Sequence, residues 1–137
     1  MNEEHKTLAR RSWEIVNERK LDAFGDVYTV DSVLHEPERD LVGLEDIAQY
    51  VTMYLTAFPD LNVTIDDVMA DGDQAVTRWT LRGTHQGQVA EYGPPTGKKV
   101  ELGGVTIHRI EGGKIAEEWE RYDNLSVLQQ LGLVRDR

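Results

Sequence analysis

The chain has 137 residues, 39% of them hydrophobic, with a formal charge of −10 and no cysteine. That size fits one domain, residues 1–137, able to bury roughly two-thirds of its unfolded surface. The acidic balance argues against nucleic acid or an anionic membrane as partner, since polyphosphate binding needs a basic footprint. Without cysteine there is no disulfide, no thiolate metal site and no thiol nucleophile. No apolar run approaches the roughly 18 residues that cross a bilayer. The start, "MNEEHKTLARRSWEIV", has no charged-then-apolar signal pattern, so a cytoplasmic protein is expected. The sequence has no GxGxxG, Walker loop, HExxH or GxSxG, which leaves His, Asp, Glu, Tyr and Arg to carry any chemistry.

The first third has helical spacing. Leu8, Ser12, Ile15 and Arg19, widened by Trp13 and Val16, mark one side of a helix from about Glu3 to Arg19. Leu21, Phe24 and Tyr28 suggest a short second helix, and "SVLHEPE" a brief extended piece stopped by Pro37. A third helix follows Gly43, its stripe running through Leu44, Ile47, Val51, Tyr54 and Phe58 until Pro59 ends it. From residue 62 the period becomes two. "LNVTIDDVMA", "QAVTRWTLRGTH", "KKVELGGVTIHRIE" and "KIAEEWERYD" read as four long strands joined by "ADGD", a longer connection and "EGG". "NLSVLQQLG" closes the chain as a helix starting near Asn124 or Ser126 and stopped by Gly132. Helices followed by an antiparallel meander give an α+β fold in which helices cover one face of a sheet. The pair Gly103–Gly104 lets such a sheet curl into a cone around a cavity.

The last hairpin decides which side chains face that cavity, because a one-residue shift moves every side chain to the other face. A two-residue Gly112–Gly113 turn would group Thr106 and His108 with Trp119 and Arg121. A three-residue turn, Glu111 to Gly113, places Thr106 opposite Glu118, Gly104 opposite Glu120 and His108 opposite Ala116. The three-residue turn is favoured because it segregates the residues better. Val105, Ile107, Ile115 and Trp119 then share one face, either under the helices or against a second copy of the chain. Leu102, Thr106, His108, Glu118, Glu120 and Tyr122 share the other.

In a desolvated cavity, burial and mutual repulsion raise the carboxyl pKa of such a pair as Glu118 and Glu120, which suits a general acid or base near neutrality. Either member of the pair, and His108 on the same face, is a candidate catalytic group. Thr106, Glu118 and Tyr122 are candidate substrate contacts, as are His35 and His85, each at a strand end or loop where functional residues collect. Trp79 and Arg78 alternate on one strand, so only one of them faces inward; Trp79 is the candidate contact. Four histidines without helical or turn spacing give little support to a metal site. For any single acidic residue on these strands, a solvated surface position is the plain alternative.

Taken together, "AFPDLNVTIDDVMADGDQAVTRWTLRGTHQG", "PPTGKKVE", "GKIAEEWERYDNL" and "VLQQLG", in order across roughly residues 5–133, resemble the SnoaL-like polyketide cyclase (ester cyclase) family of the nuclear-transport-factor-2-like cone folds. The resemblance implies a cone-shaped α+β domain, usually a homo-oligomer, with an apolar pocket and no cofactor. It implies a small apolar carbonyl or ester substrate and intramolecular aldol ring closure, with an acid on the last strand moving protons; that acid falls at Glu120. The cyclases' pocket histidine falls at Thr106 and a pocket glutamine at Gly104, two departures that His108 would have to offset. Two other readings stand beside it. One is a non-catalytic domain that binds a small apolar ligand. The other is an epoxide-opening hydrolase drawing on Arg78 and Asp123.

Overall fold

The computed structural model describes residues 2–134. Helix α1 (Asn2–Glu18) and a 3-10 turn (Leu21–Asp26) precede strand β1 (Tyr28–His35) and the short β2 (Asp40–Val42). Helix α2 (Leu44–Ala57) follows, then the long strands β3 (Asn62–Asp71), β4 (Gln74–Thr84), β5 (Lys99–Glu111) and β6 (Lys114–Tyr122), and helix α3 (Asn124–Gln130). The strands form a six-stranded sheet in the order β2-β1-β6-β5-β4-β3. All neighbours run antiparallel except β1 and β6, which are parallel. The sheet is therefore mixed, and Tyr28 opens a strand instead of ending a helix. Its side chain goes inward, 7% exposed, where the strand's alternation begins.

Helix α1 lays Ala9, Ser12, Ile15 and Val16 against the sheet, while α2 buries Ile47 and Ala57. Phe24, Phe58, Leu61, Val100 and Leu131 join them in one continuous core. Helix α3 is capped by Asp123, whose carboxylate accepts from the Ser126 N–H at 3.2 Å, one residue before the expected start. Among the described residues no helix is long and apolar enough to cross a membrane.

The last hairpin departs from the expected three-residue loop in an instructive way. Glu111 pairs with Lys114, so the turn is the two-residue Gly112–Gly113, and both glycines have positive φ (59° and 81°). Only glycine-like residues take that geometry without strain, and it is the turn that matches strand twist. A plain two-residue turn would put Glu118 and Glu120 on the outer face. It does not, because β6 carries a bulge. Ile110 pairs with Ile115, but Arg109 pairs with Glu117, leaving Ala116 as the extra residue. Ile115 and Ala116 are then both buried, at 0% and 9% exposure, as only two adjacent apolar residues can be. The bulge restores the expected faces and shifts the partners by two. Thr106 sits opposite Glu120, His108 opposite Glu118 and Gly104 opposite Tyr122. Ile115 leaves the outer patch for the core, while Val105, Ile107 and Trp119 stay outside.

Candidate functional site

Between the inner face of the sheet and helices α1 and α2 lies a cavity of about 80 Å³. Its walls are apolar and aromatic: Trp13 and Val16 from α1, Tyr54 and Phe58 from α2, and Trp79 and Leu102 from the sheet. Set into them are two carboxyl groups, Glu36 and Glu120, and the hydroxyls of Tyr50, Tyr54 and Tyr122.

Glu120 is fixed by a short relay. The Trp79 indole N–H donates to Thr106 Oγ1 at 2.9 Å, and the Thr106 hydroxyl donates to Glu120 Oε2 at 3.3 Å. Burial, the neighbouring Glu36 carboxyl and then the Glu118 charge push the Glu120 carboxyl well above the ordinary carboxylate range, with the Thr106 bond acting the other way. Glu120 is thus a carboxyl group inclined to hold its proton in an apolar hollow.

Glu118, two residues earlier, lives differently. It is 3% exposed and accepts from the Tyr28 hydroxyl at 2.9 and 3.0 Å. Its Oε2 also meets His108 Nδ1 at 2.5 Å. His108 Nε2 lies 2.9 Å from Thr77 Oγ1, which takes the Trp13 indole N–H at 3.0 Å. Every donor is used if Trp13 donates to Thr77, Thr77 to His108 Nε2, and His108 Nδ1–H to Glu118. His108 is fully buried, both ring nitrogens are occupied, and it does not line the cavity. Burial and then the Glu118 charge drive the Tyr28 phenol far up, so it remains a neutral donor.

Near the mouth, three hydroxyls form a ring: Tyr50 to Tyr54 at 3.3 Å, Tyr50 to Tyr122 at 2.9 Å and Tyr54 to Tyr122 at 3.4 Å. Tyr92, from the 85–98 connection, donates to Tyr54 at 3.2 Å. Burial first, then neighbouring phenols and carboxylates, raises all four above the usual phenol range, so they stay protonated. Outside them Arg39 pairs with Glu91 at 2.7 Å and lies over the Tyr50 ring.

The remaining candidates lie elsewhere. His35 is on the outer face: it stacks on Trp119 and bonds Glu117 at 2.6 Å and Asp40 at 2.8 Å. His85 is fully buried behind Phe58 and Tyr92. Its Nδ1 accepts the Thr96 N–H at 3.2 Å, and its backbone N–H donates to the Lys98 carbonyl at 2.9 Å, so it clips the 85–98 connection. The same connection is held to the end of α2 where Gly87 passes so close that a Cβ would lie 1.8 Å from the Thr56 carbonyl oxygen. Trp79 faces in; Arg78 faces out, half-exposed, with Asp66 3.8 Å away. With Asp123 committed to capping α3, neither Arg78 nor Asp123 reaches the cavity, which removes the structural basis of the epoxide reading. Among the described residues no three His, Asp or Glu side chains gather as metal ligands would.

Residues 6–131 match the family described as SnoaL-like polyketide cyclase. The chain belongs to that family. AclR, a proposed hydroxylase from Streptomyces galilaeus, is 28% identical, with 98% of this chain and 84% of that one covered and a TM-score of 0.84. IdmH, a proposed polyketide cyclase from Streptomyces antibioticus, is also 28% identical, covering 92% and 96%, with a TM-score of 0.80. A proposed SnoaL-like polyketide cyclase from Jannaschia sp. CCS1 superposes with a TM-score of 0.88 over 98% and 95% of the two chains; at 20% identity this likeness shows the fold. No curated protein sequence matches the chain.

Within this SnoaL-like frame, the two departures noted in the sequence share one cause. A side chain at Gly104 would put its Cβ 2.4 Å from the Trp79 ring, so the indole occupies the room over Gly104 and delivers its N–H to Thr106. Sequence reasoning missed Glu36 and Tyr50. Glu36 was hidden in "LHEPE", read only as the end of a brief extended piece stopped by Pro37. Tyr50 lay one helical turn before Tyr54, a spacing that could have flagged a shared face.

Proposed function

We propose that this SnoaL-like chain catalyses proton transfer at a carbon next to a carbonyl, in a small apolar ketone or ester. Intramolecular aldol ring closure of a polyketide-like chain is the leading case. The supporting observation is the Glu120 carboxyl, held by Thr106 and driven toward its neutral form inside an aromatic hollow. A carboxyl with its pKa brought up toward working pH is what general acid–base catalysis uses. The Tyr122 hydroxyl, beside the same space, is placed to donate to a developing enolate oxygen. Trp79 packs the substrate and orients Glu120 through Thr106. The Glu118–His108–Tyr28 chain braces the strand behind it. The reaction assigned here draws on these side chains alone, without a cofactor.

Glu120→Gln removes the titrating proton and keeps the shape. Turnover of an accepted substrate should fall by about 10²–10⁴-fold; an unchanged rate overturns the assignment. AclR and IdmH, both 28% identical to this chain, carry different activity names, hydroxylase and cyclase, so product analysis must accompany the rate. The second reading, a non-catalytic binder of apolar ligands, draws on Thr106 standing where the cyclases resembled here place an imidazole. Tight binding of polycyclic ketones with no product at any pH would favour it.

We also propose that a second copy covers the outer face at Val105, Ile107 and Trp119. Sedimentation of a monomer of 15.6 kDa alone would remove that proposal.

A further inference from the structure

Glu36 follows β1 in a turn closed by its own N–H donating to the Arg39 carbonyl at 2.8 Å. Its side chain is 6% exposed and lines the cavity, yet among the described residues neither carboxylate oxygen receives a hydrogen bond. A buried carboxylate without a donor is costly, so a partner must satisfy it. The hydroxyls of Tyr50, Tyr92 and Tyr122 lie in its field, but Tyr50 and Tyr122 bond each other and Tyr92 donates to Tyr54. Among the described residues no Lys, Arg or His lines the cavity. The Glu120 carboxyl lines the same cavity, and the Glu36 charge is the strongest charge acting on it. As two carboxylates they have no donor between them. With a single proton between them, one becomes donor and the other acceptor.

We propose that Glu36 and Glu120 work as one acid–base pair around a single shared proton, Glu36 as base and Glu120 as acid in the same step. This rests on the function proposed above and adds its second carboxyl. Glu36 removes a proton from the carbon next to the substrate carbonyl. The C–H electron pair becomes the new C=C bond, and the carbonyl π pair moves to oxygen, which takes the proton from Glu120. An enol results, Glu36 is now protonated and Glu120 ionised, so the total charge is unchanged. No full enolate has to be carried in apolar surroundings. Reversing the two roles on the product side resets the pair. Because the pair keeps one negative charge in a cavity without a cation, it selects neutral ketones and esters and disfavours carboxylates.

Two measurements test this. Infrared spectroscopy of the ligand-free protein, titrated with pH, should show a buried protonated carboxyl at neutral pH that Glu120→Gln abolishes. Glu118 and Tyr28 also face Glu120 and are unchanged in every variant. Glu36→Gln removes the like charge, so the Glu120 band should vanish at lower pH than in the wild type. A band absent from the wild type, or one whose titration is unmoved by Glu36→Gln, overturns the pair. The second measurement is α-deuterium exchange of 2-tetralone in D2O, followed by NMR. Each single variant should lose about 10²–10⁴-fold of the catalysed rate, and the double variant no more than the worse single, as for residues acting as a unit. If Glu120→Gln is inactive while Glu36→Gln keeps its rate, the pair fails and the Glu120 reading stands. If the wild type does not accelerate exchange, the proton-transfer reading fails for this ketone and the infrared titration alone decides the pair.

Discussion

Glu118 and Glu120 sit two positions apart on β6, point the same way and each face a threonine or histidine of β5 that is linked to a tryptophan indole. Their circumstances diverge. Glu118 is enclosed by Tyr28 and His108, with three hydrogen bonds at 3.0 Å or less. Glu120 has one bond of 3.3 Å, a second carboxyl for a neighbour and an open hollow in front. A fully satisfied carboxylate is a structural tie, because moving its proton would break every bond around it. An under-satisfied one is ready to exchange its proton. What separates the structural acid from the proposed catalytic one is therefore the number of donors, since both belong to the same strand face and the same acid-rich stretch.

That contrast can be broken in three places. The largest effect should come from Glu118→Ala, which strands the buried Tyr28 hydroxyl and the His108 Nδ1–H. A loss of about 3–5 kcal/mol is expected, as when one partner of a buried pair is removed. Urea denaturation reads it, and a variant with an unshifted midpoint would show that Glu118 is no tie.

Glu120→Gln should move stability the opposite way. The folded-state pKa of Glu120 is raised, so its contribution is intact below the ordinary carboxyl value near 4.3 and is lost as pH rises through the folded value. Gln does not titrate. The variant should match the wild type near pH 4 and exceed it above neutrality by about 1–3 kcal/mol, the penalty of a poorly satisfied buried polar group. Equal pH profiles of the melting temperature would contradict an under-satisfied acid.

The smallest effect belongs to the outer face. His35 is raised by its bonds to Glu117 first and then Asp40, so its contribution is present below about pH 6.5 and fades as pH rises through the folded value. His35→Ala should cost at most about 1 kcal/mol near pH 6, less in alkali, and leave cavity ligand binding intact. A large loss of ligand affinity would show that the two faces of the sheet are coupled.

Much of this was legible in the chain. The four long strands, α1 and α2 came from periodicity, because each buries one face and leaves the other wet. The inward set Thr106, His108, Glu118, Glu120 and Tyr122 came from segregation of apolar and polar residues. The reason behind it did not: the turn is shorter than expected and Ala116 bulges, two departures that cancel in parity and leave a two-residue offset in partners. Local spacing cannot register a pair of compensating shifts. β1 and β2 were under-read because a strand parallel to β6 depends on a partner some eighty residues away. Glu36 was missed for a related reason, since its importance arises only from the carboxyl it meets across the fold.

Ala116 then acquires a meaning out of proportion to its size. From that point to the end of β6, whether a residue looks toward the hollow or toward solvent is an odd-or-even count, and this alanine sets the count. The same chain paired without that bulge, with the turn unchanged, would have the same acids and aromatics and the opposite interior, indole in and carboxyls out. The chemistry is thus written in the strand's arithmetic as much as in its side chains.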